Sequence, residues 1–133
     1  MNRALEFLKE CGTFYLATTE GDQPRIRPFG AVFIYEGKLY IVTNNKKQCF
    51  KQMLANPKVE ICCMNKERQW IRITGKVAND DRREVKEFAL EACPSLKSMY
   101  TLDDGIFAVL YFTKGIATIS SFTAQPETFS FNV

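Results

Sequence analysis

Between Pro24 and Pro57 two apolar runs lie on either side of a two-residue turn, and this leaves few folds open. The first run extends from about Pro24 to Tyr35 and contains Arg25-Ile26-Arg27-Pro28-Phe29-Gly30. Glu36-Gly37 follows, and Lys38-Leu39-Tyr40-Ile41-Val42 is the second run. Strands joined by so short a turn must be antiparallel. Upstream, Thr13–Thr18 is rich in β-branched and aromatic residues, and Glu20-Gly21-Asp22 reads as a second hairpin turn.

The rest of the chain continues in the same style. Val59–Met64 and Gln69–Asn79 read as strands, and Ile106–Thr113 with Ile116–Ser121 as a last hairpin about Lys114-Gly115. In the tail from Thr123 to Val133, Phe129 and Phe131 alternate, as in an added edge strand or a frayed end. Three helical patterns intervene. Asn2 opens the first, with Ala4, Leu5 and Leu8 inward, and Cys11-Gly12 ends it. The second runs from Lys47 to Ala55 with Phe50, Met53 and Leu54 on one face, and Asn56-Pro57 stops it. Asp80 or Asp81 opens the third, where Asp81-Arg82-Arg83-Glu84 has capping-box spacing, with Val85, Phe88 and Ala89 inward. No βαβ alternation appears. The class is mainly β (α+β): six or seven antiparallel strands, with peripheral helices, closing or nearly closing into a barrel. At 133 residues, residues 1–133 form one domain.

At the end of the second run, Thr43-Asn44-Asn45-Lys46-Lys47-Gln48 leads into a helix. Hydroxyl and amide donors there stand beside free helix N–H groups, and two lysines supply charge. That suits a phosphate. The same residues would also serve as an ordinary polar helix cap. Pro28 cannot donate to a sheet, so it marks a break or edge next to Arg27. Trp70 reads as a core residue.

Composition excludes several classes. There is no histidine, which rules out a Ser-His-Asp triad, a Cys-His pair, a histidine metal ligand and the usual proximal haem ligand. Five cysteines without a CxxC pair read as free, mostly buried thiols rather than a zinc site, so no metal is expected. A net charge of +3, thinly spread, points to a local anionic ligand and not to nucleic acid. No apolar run is long enough for a bilayer, and Met1–Glu6 lacks a signal-peptide pattern. A cytoplasmic protein without a membrane partner is the expectation.

These segments, in this order, resemble the pyridoxamine 5′-phosphate oxidase-like family, the FMN-binding split barrels. The resemblance runs from about Asn2 to Phe122. It rests on Arg27-Pro28-Phe29-Gly30, Thr43-Asn44 with Lys47-Gln48, Asn56-Pro57-Lys58-Val59, and Trp70 to Gly75. It implies a split β-barrel that binds FMN as a homodimer, with the flavin carrying the electron chemistry. It further implies that Arg27 reaches the phosphate and that Pro28, Phe29 and Gly30 border the flavin. Thr43, Asn44, Lys47 and Gln48 would form the phosphate site, where many relatives carry Ser-Arg-Lys in place of Lys47-Gln48-Cys49. Trp70 would lie near the ring, in some relatives across the dimer, and Ser120-Ser121-Phe122 would approach the partner's site. The implied activity is an FMN-dependent oxidoreductase working between small-molecule electron donors and acceptors. A non-enzymatic flavin carrier or sensor is the alternative. Pyridoxamine phosphate oxidase activity itself is not expected: those enzymes carry a C-terminal substrate segment with Trp, Arg and Leu-x-Pro elements, and this chain closes on Phe131-Asn132-Val133. Shorter relatives of the nitroimidazole-resistance type often use a histidine, which this chain lacks. The resemblance therefore names a family, with no substrate and no catalytic residue.

Overall fold

The first helix forms because its apolar residues recur at helical spacing against a sheet. In the computed structural model, which describes residues 1–131, α1 spans Asn2–Cys11 and buries Ala4, Phe7 and Leu8 completely. Phe7 and Leu8 each contribute roughly 1.5–3 kcal/mol on burial. Leu5 is only half-buried. Gly12, at φ 79°, ends the helix and returns its N–H to the Leu8 carbonyl. Met1 is the N-cap position, so Asn2 lies inside the helix rather than before it.

Eight strands follow. They are β1 (Phe14–Glu20), β2 (Gln23–Phe29), β3 (Val32–Tyr35), β4 (Lys38–Asn44), β5 (Lys58–Met64), β6 (Trp70–Asp80), β7 (Phe107–Ser120) and β8 (Glu127–Phe131). Between them lie α2 (Gln48–Ala55), α3 (Arg83–Ala92) and a 3₁₀ turn at Pro94–Ser98. The hydrogen-bonded order is β2-β1-β5-β6-β7-β4-β3, with β8 also on β7, and every pairing is antiparallel. β2 and β3 stand at opposite ends of this path, yet only Gly30-Ala31 separates them in the chain. Two residues span less than about 10 Å. The sheet must curl until its two ends meet without pairing, and that is the split barrel.

Four expectations are corrected here. The run from Pro24 to Tyr35 is two strands, because Pro28 sits at the end of an edge strand and Gly30-Ala31 carries the chain across the split. The segment expected as a last hairpin is one long strand, Phe107–Ser120, with no turn at Lys114-Gly115. Gly115 is there for space: a Cβ would lie 2.6 Å from the Phe131 ring, and Gly75 is its cross-strand partner. The capping box at Asp81 does not form. α3 starts at Arg83, and Asp80 accepts the Arg82 N–H at 3.1 Å instead. Phe88 and Leu54 are exposed rather than inward, and Phe88 lies against the Tyr35 ring at 4.9 Å. Of the tail, Glu127–Phe131 is an edge strand; Asn132 and Val133 lie outside the described residues.

The core has two parts. The larger fills the barrel, with Phe14, Leu16, Ile61, Ile71, Ile73 and Phe112 fully or almost fully buried under α1 and α2. The smaller lies outside the barrel wall, where Phe33, Tyr40, Val109 and Phe107 receive Val85 and Ala89 of α3, Leu96 of the 3₁₀ turn, and Tyr100. No helix among the described residues is long and apolar enough to cross a membrane. All five cysteines are free, and no group of three or more His, Cys, Asp or Glu among the described residues could hold a metal ion.

Candidate functional site

Where β2 gives way to β3, the backbone belongs to neither sheet edge, and a cleft of about 350 Å³ opens. One wall is the strand break itself, Pro28 to Val32. The facing wall is Cys93, Ser95, Leu96, Met99 and Tyr100, from the end of α3, the 3₁₀ turn and the segment after it. Val42 and Cys49 also line it, and its charged lining is Lys9, Arg27 and Lys47, with no carboxylate among the lining residues. Volume and wall chemistry are those of a small-ligand site.

Arg27 is held from beneath. Its guanidinium donates to Thr18 Oγ1 at 2.8 Å and Gln52 Oε1 at 2.7 Å, and Thr18 Oγ1 donates to the same Gln52 oxygen at 2.6 Å. These partners are neutral, so they orient the cation without cancelling its charge. Arg25, two residues earlier, is spent on a surface pair with Glu20 at 2.9 Å.

The start of α2 forms the second part of the site. Lys47 occupies the N-cap position in extended conformation, and no side chain caps the helix. The first-turn N–H groups are left without the usual side-chain acceptor, and the helix dipole adds to their pull on an anion. Asn44 organises the approach. Its Oδ1 accepts the Lys46 N–H at 3.1 Å, its carbonyl accepts the Lys47 N–H at 3.3 Å, and its Nδ2 donates to the Tyr100 hydroxyl at 3.2 Å. Tyr100 is 8% exposed and stacks on Phe107 with centroids 5.1 Å apart and planes at 9°. Cys93 Sγ donates to the Val32 carbonyl at 3.6 Å. Burial pushes this thiol's pKa up, against the smaller pull of that hydrogen bond and of Lys9. It is a protonated structural thiol near neutral pH.

Of the residues singled out in the sequence, Arg27, Pro28, Phe29, Gly30 and Lys47 line this cleft. Thr43 lies beneath it, 2% exposed, with its hydroxyl 3.5 Å from Cys49 Sγ. Asn44 meets it through Tyr100. Gln48 opens into a separate hollow with Thr19, Lys51 and Asn56. Trp70 is elsewhere, against Phe122 at 5.1 Å and paired in register with Ser120. The facing wall escaped the sequence reading, because nothing local links Tyr100 or Cys93 to Asn44 or Val32.

Comparison with known proteins decides the family. The model of the family described as pyridoxamine 5′-phosphate oxidase matches residues 2–103. The chain belongs to that family. A crystal structure of a NimC/NimA family protein from Clostridium acetobutylicum shares 78% identity with it, covering 98% of this chain and 92% of that one, with a TM-score of 0.97. A protein related to general stress protein 26, of the pyridoxinephosphate oxidase family and from the same organism, shares 16% identity over 96% of this chain and 92% of that one, with a TM-score of 0.75. A pyridoxamine 5′-phosphate oxidase-related, FMN binding protein from Nostoc punctiforme shares 15% identity over 99% and 91%, with a TM-score of 0.59. No curated protein matched. As a pyridoxamine 5′-phosphate oxidase family barrel, the chain shares its architecture with relatives of very different sequence.

Proposed function

We propose that this protein binds FMN in the cleft and works as an oxidoreductase on a small-molecule acceptor. One observation carries the reading: the uncapped start of α2, with Lys47 at its N-cap position, stands beside Arg27 at a cleft with no carboxylate in its lining. A phosphate would find open N–H groups, two cations and no repulsion there. The break at Pro28 to Ala31 offers a flat, mostly apolar wall to a heterocycle, and a Cβ on Gly30 would meet nothing closer than 4.0 Å. The residues present therefore fit FMN. When bound, the flavin supplies the electron or hydride transfer; this chain's residues hold the phosphate, seat the ring and limit water. Family membership supports the reading, as does the FMN binding protein among the related structures.

The functional unit in this proposal is a homodimer in the cytoplasm. A barrel of this size has one face of the cleft open, and a two-fold partner would cover it. Five free thiols suit a reducing compartment. A carrier or sensor role is the second reading. What favours it is the cleft's own chemistry: the lining holds no histidine or carboxylate to serve as general acid or base, and Cys93 is kept as a thiol.

Titration with FMN and riboflavin tests the binding. FMN should bind more tightly and shift the flavin absorption bands. Equal affinity for both would remove the phosphate site, and no binding of either would overturn the proposal. Stopped-flow reduction by nicotinamide and other donors, followed by reoxidation with small acceptors, separates enzyme from carrier.

A further inference from the structure

The Tyr100 hydroxyl has a fixed role that the cleft alone does not reveal. Asn44 has both ends of its amide engaged. Oδ1 is taken by the Lys46 backbone N–H, which can only donate, so the end facing Tyr100 must be the NH₂. Tyr100 oxygen is thus an acceptor in that bond, and its own proton is left over. No described protein group accepts it. The ring has little freedom, being stacked on Phe107 and 8% exposed, and its residue lines the cleft. Through Asn44 the hydroxyl is one side chain away from the α2 start, where Lys46 and Lys47 begin the turn.

We propose that Tyr100 donates its hydroxyl proton to an anionic phosphate oxygen of the ligand held at the start of α2, with Asn44 as the residue that sets the direction. This rests on the FMN reading above and adds a binding residue to it from a distant part of the chain. The physical reason is the donor count. An oxyanion there accepts from helix N–H groups and Lys47, and a neutral O–H adds a short, directed bond without adding charge. Asn44 cannot take the proton back while the Lys46 N–H holds its oxygen.

Affinities for FMN and riboflavin, measured for the unsubstituted protein, Tyr100→Phe, Asn44→Asp and the double variant, test this. Tyr100→Phe keeps the ring and its stacking, so the fold is retained. It should weaken FMN about tenfold or more and riboflavin by less than about twofold, since only FMN carries the charged acceptor. Asn44→Asp replaces the donor with a carboxylate, which takes the Tyr100 proton for itself. On that background, Tyr100→Phe should cost FMN less than about twofold further. A loss of equal size for both flavins, or no loss for either, overturns the proposal. So does full additivity in the double variant. If Asn44→Asp does not fold, the FMN-to-riboflavin contrast in Tyr100→Phe decides alone. Failure of the unsubstituted protein to bind either flavin instead refutes the functional reading on which the proposal stands.

Discussion

Arg25 and Arg27 show how neighbours decide whether the charge of one residue type is spent or left available. Arg25 and Arg27 share a strand, but Arg25 is neutralised by Glu20 at 2.9 Å while Arg27 is oriented by the neutral Thr18 and Gln52. No carboxylate among the described residues pairs with Arg27, so its charge remains for a ligand. Lys47→Ala and Arg27→Ala should each weaken FMN binding by roughly 1.5–3 kcal/mol, the scale of a hydrogen bond to a charged group. Lys38→Ala is the control. Its ammonium lies over the Tyr111 ring at 4.6 Å and does not line the cleft, so FMN affinity should hardly change. Calorimetric titration of the three variants checks this; equal losses in all three would leave only general electrostatics.

At the level of elements, two places make the barrel depend on particular residues. The first is the crossing of β6 and β7 at Gly75 and Gly115. A Cβ on Gly75 would come within 2.3 Å of the Lys114 carbonyl oxygen and 2.8 Å of Phe112. The obstacle is partly backbone and cannot rotate away. Gly75→Ala should therefore destabilise by about 1–3 kcal/mol, read as a lower urea midpoint. The second is the end of β6, where Asp80 ties three elements together. Tyr40 donates to it at 2.7 Å, the Arg82 guanidinium at 3.0 Å, and Arg82 also reaches Glu36 at 2.7 Å. Burial works to raise the Asp80 pKa, but the hydrogen bonds from Arg82 and Tyr40 outweigh it and hold the carboxyl below its ordinary 3.8. A folded pKa below the unfolded one adds stability above the unfolded value, and that stability is lost as pH falls through the folded value. Urea midpoints measured from about pH 5 to pH 2.5 should fall, and Asp80→Asn should flatten that fall. An unchanged slope in the variant would mean that other carboxylates set the acid limb.

On the scale of the whole molecule, exposed apolar residues gather around Trp70. Phe122 is 74% exposed over Trp70, and Met64, cross-strand from Trp70, is 53% exposed. In the proposed dimer this patch would approach the partner's flavin. Trp70 is the only tryptophan, so its fluorescence reports on that contact directly. FMN should quench it, and quenching should fade on dilution as the dimer dissociates. By linkage, FMN should also strengthen dimerisation in sedimentation experiments. A monomer that binds FMN with unchanged affinity and without quenching would defeat the shared-site arrangement.

The sequence by itself determined the hairpins at Gly21-Asp22 and Glu36-Gly37 and the antiparallel class. Each of those is a local matter. Glu36-Gly37 takes φ of 49° and 72° in a tight turn, and alternation in β1 and β5 decides which face is buried. The break after Pro28 was legible because a proline cannot donate within a sheet. Lys114-Gly115 was misleading: a glycine chosen for close packing looks like a glycine chosen for a turn. Tertiary structure alone decided that the run from Pro24 to Tyr35 splits between the two ends of one sheet. It also decided that Tyr100 closes the cleft over Asn44, which stands 56 residues away in the chain. Such contacts follow from how the sheet curls and where α3 packs, and these depend on the sum of many distant burials. No short stretch of residues carries that sum.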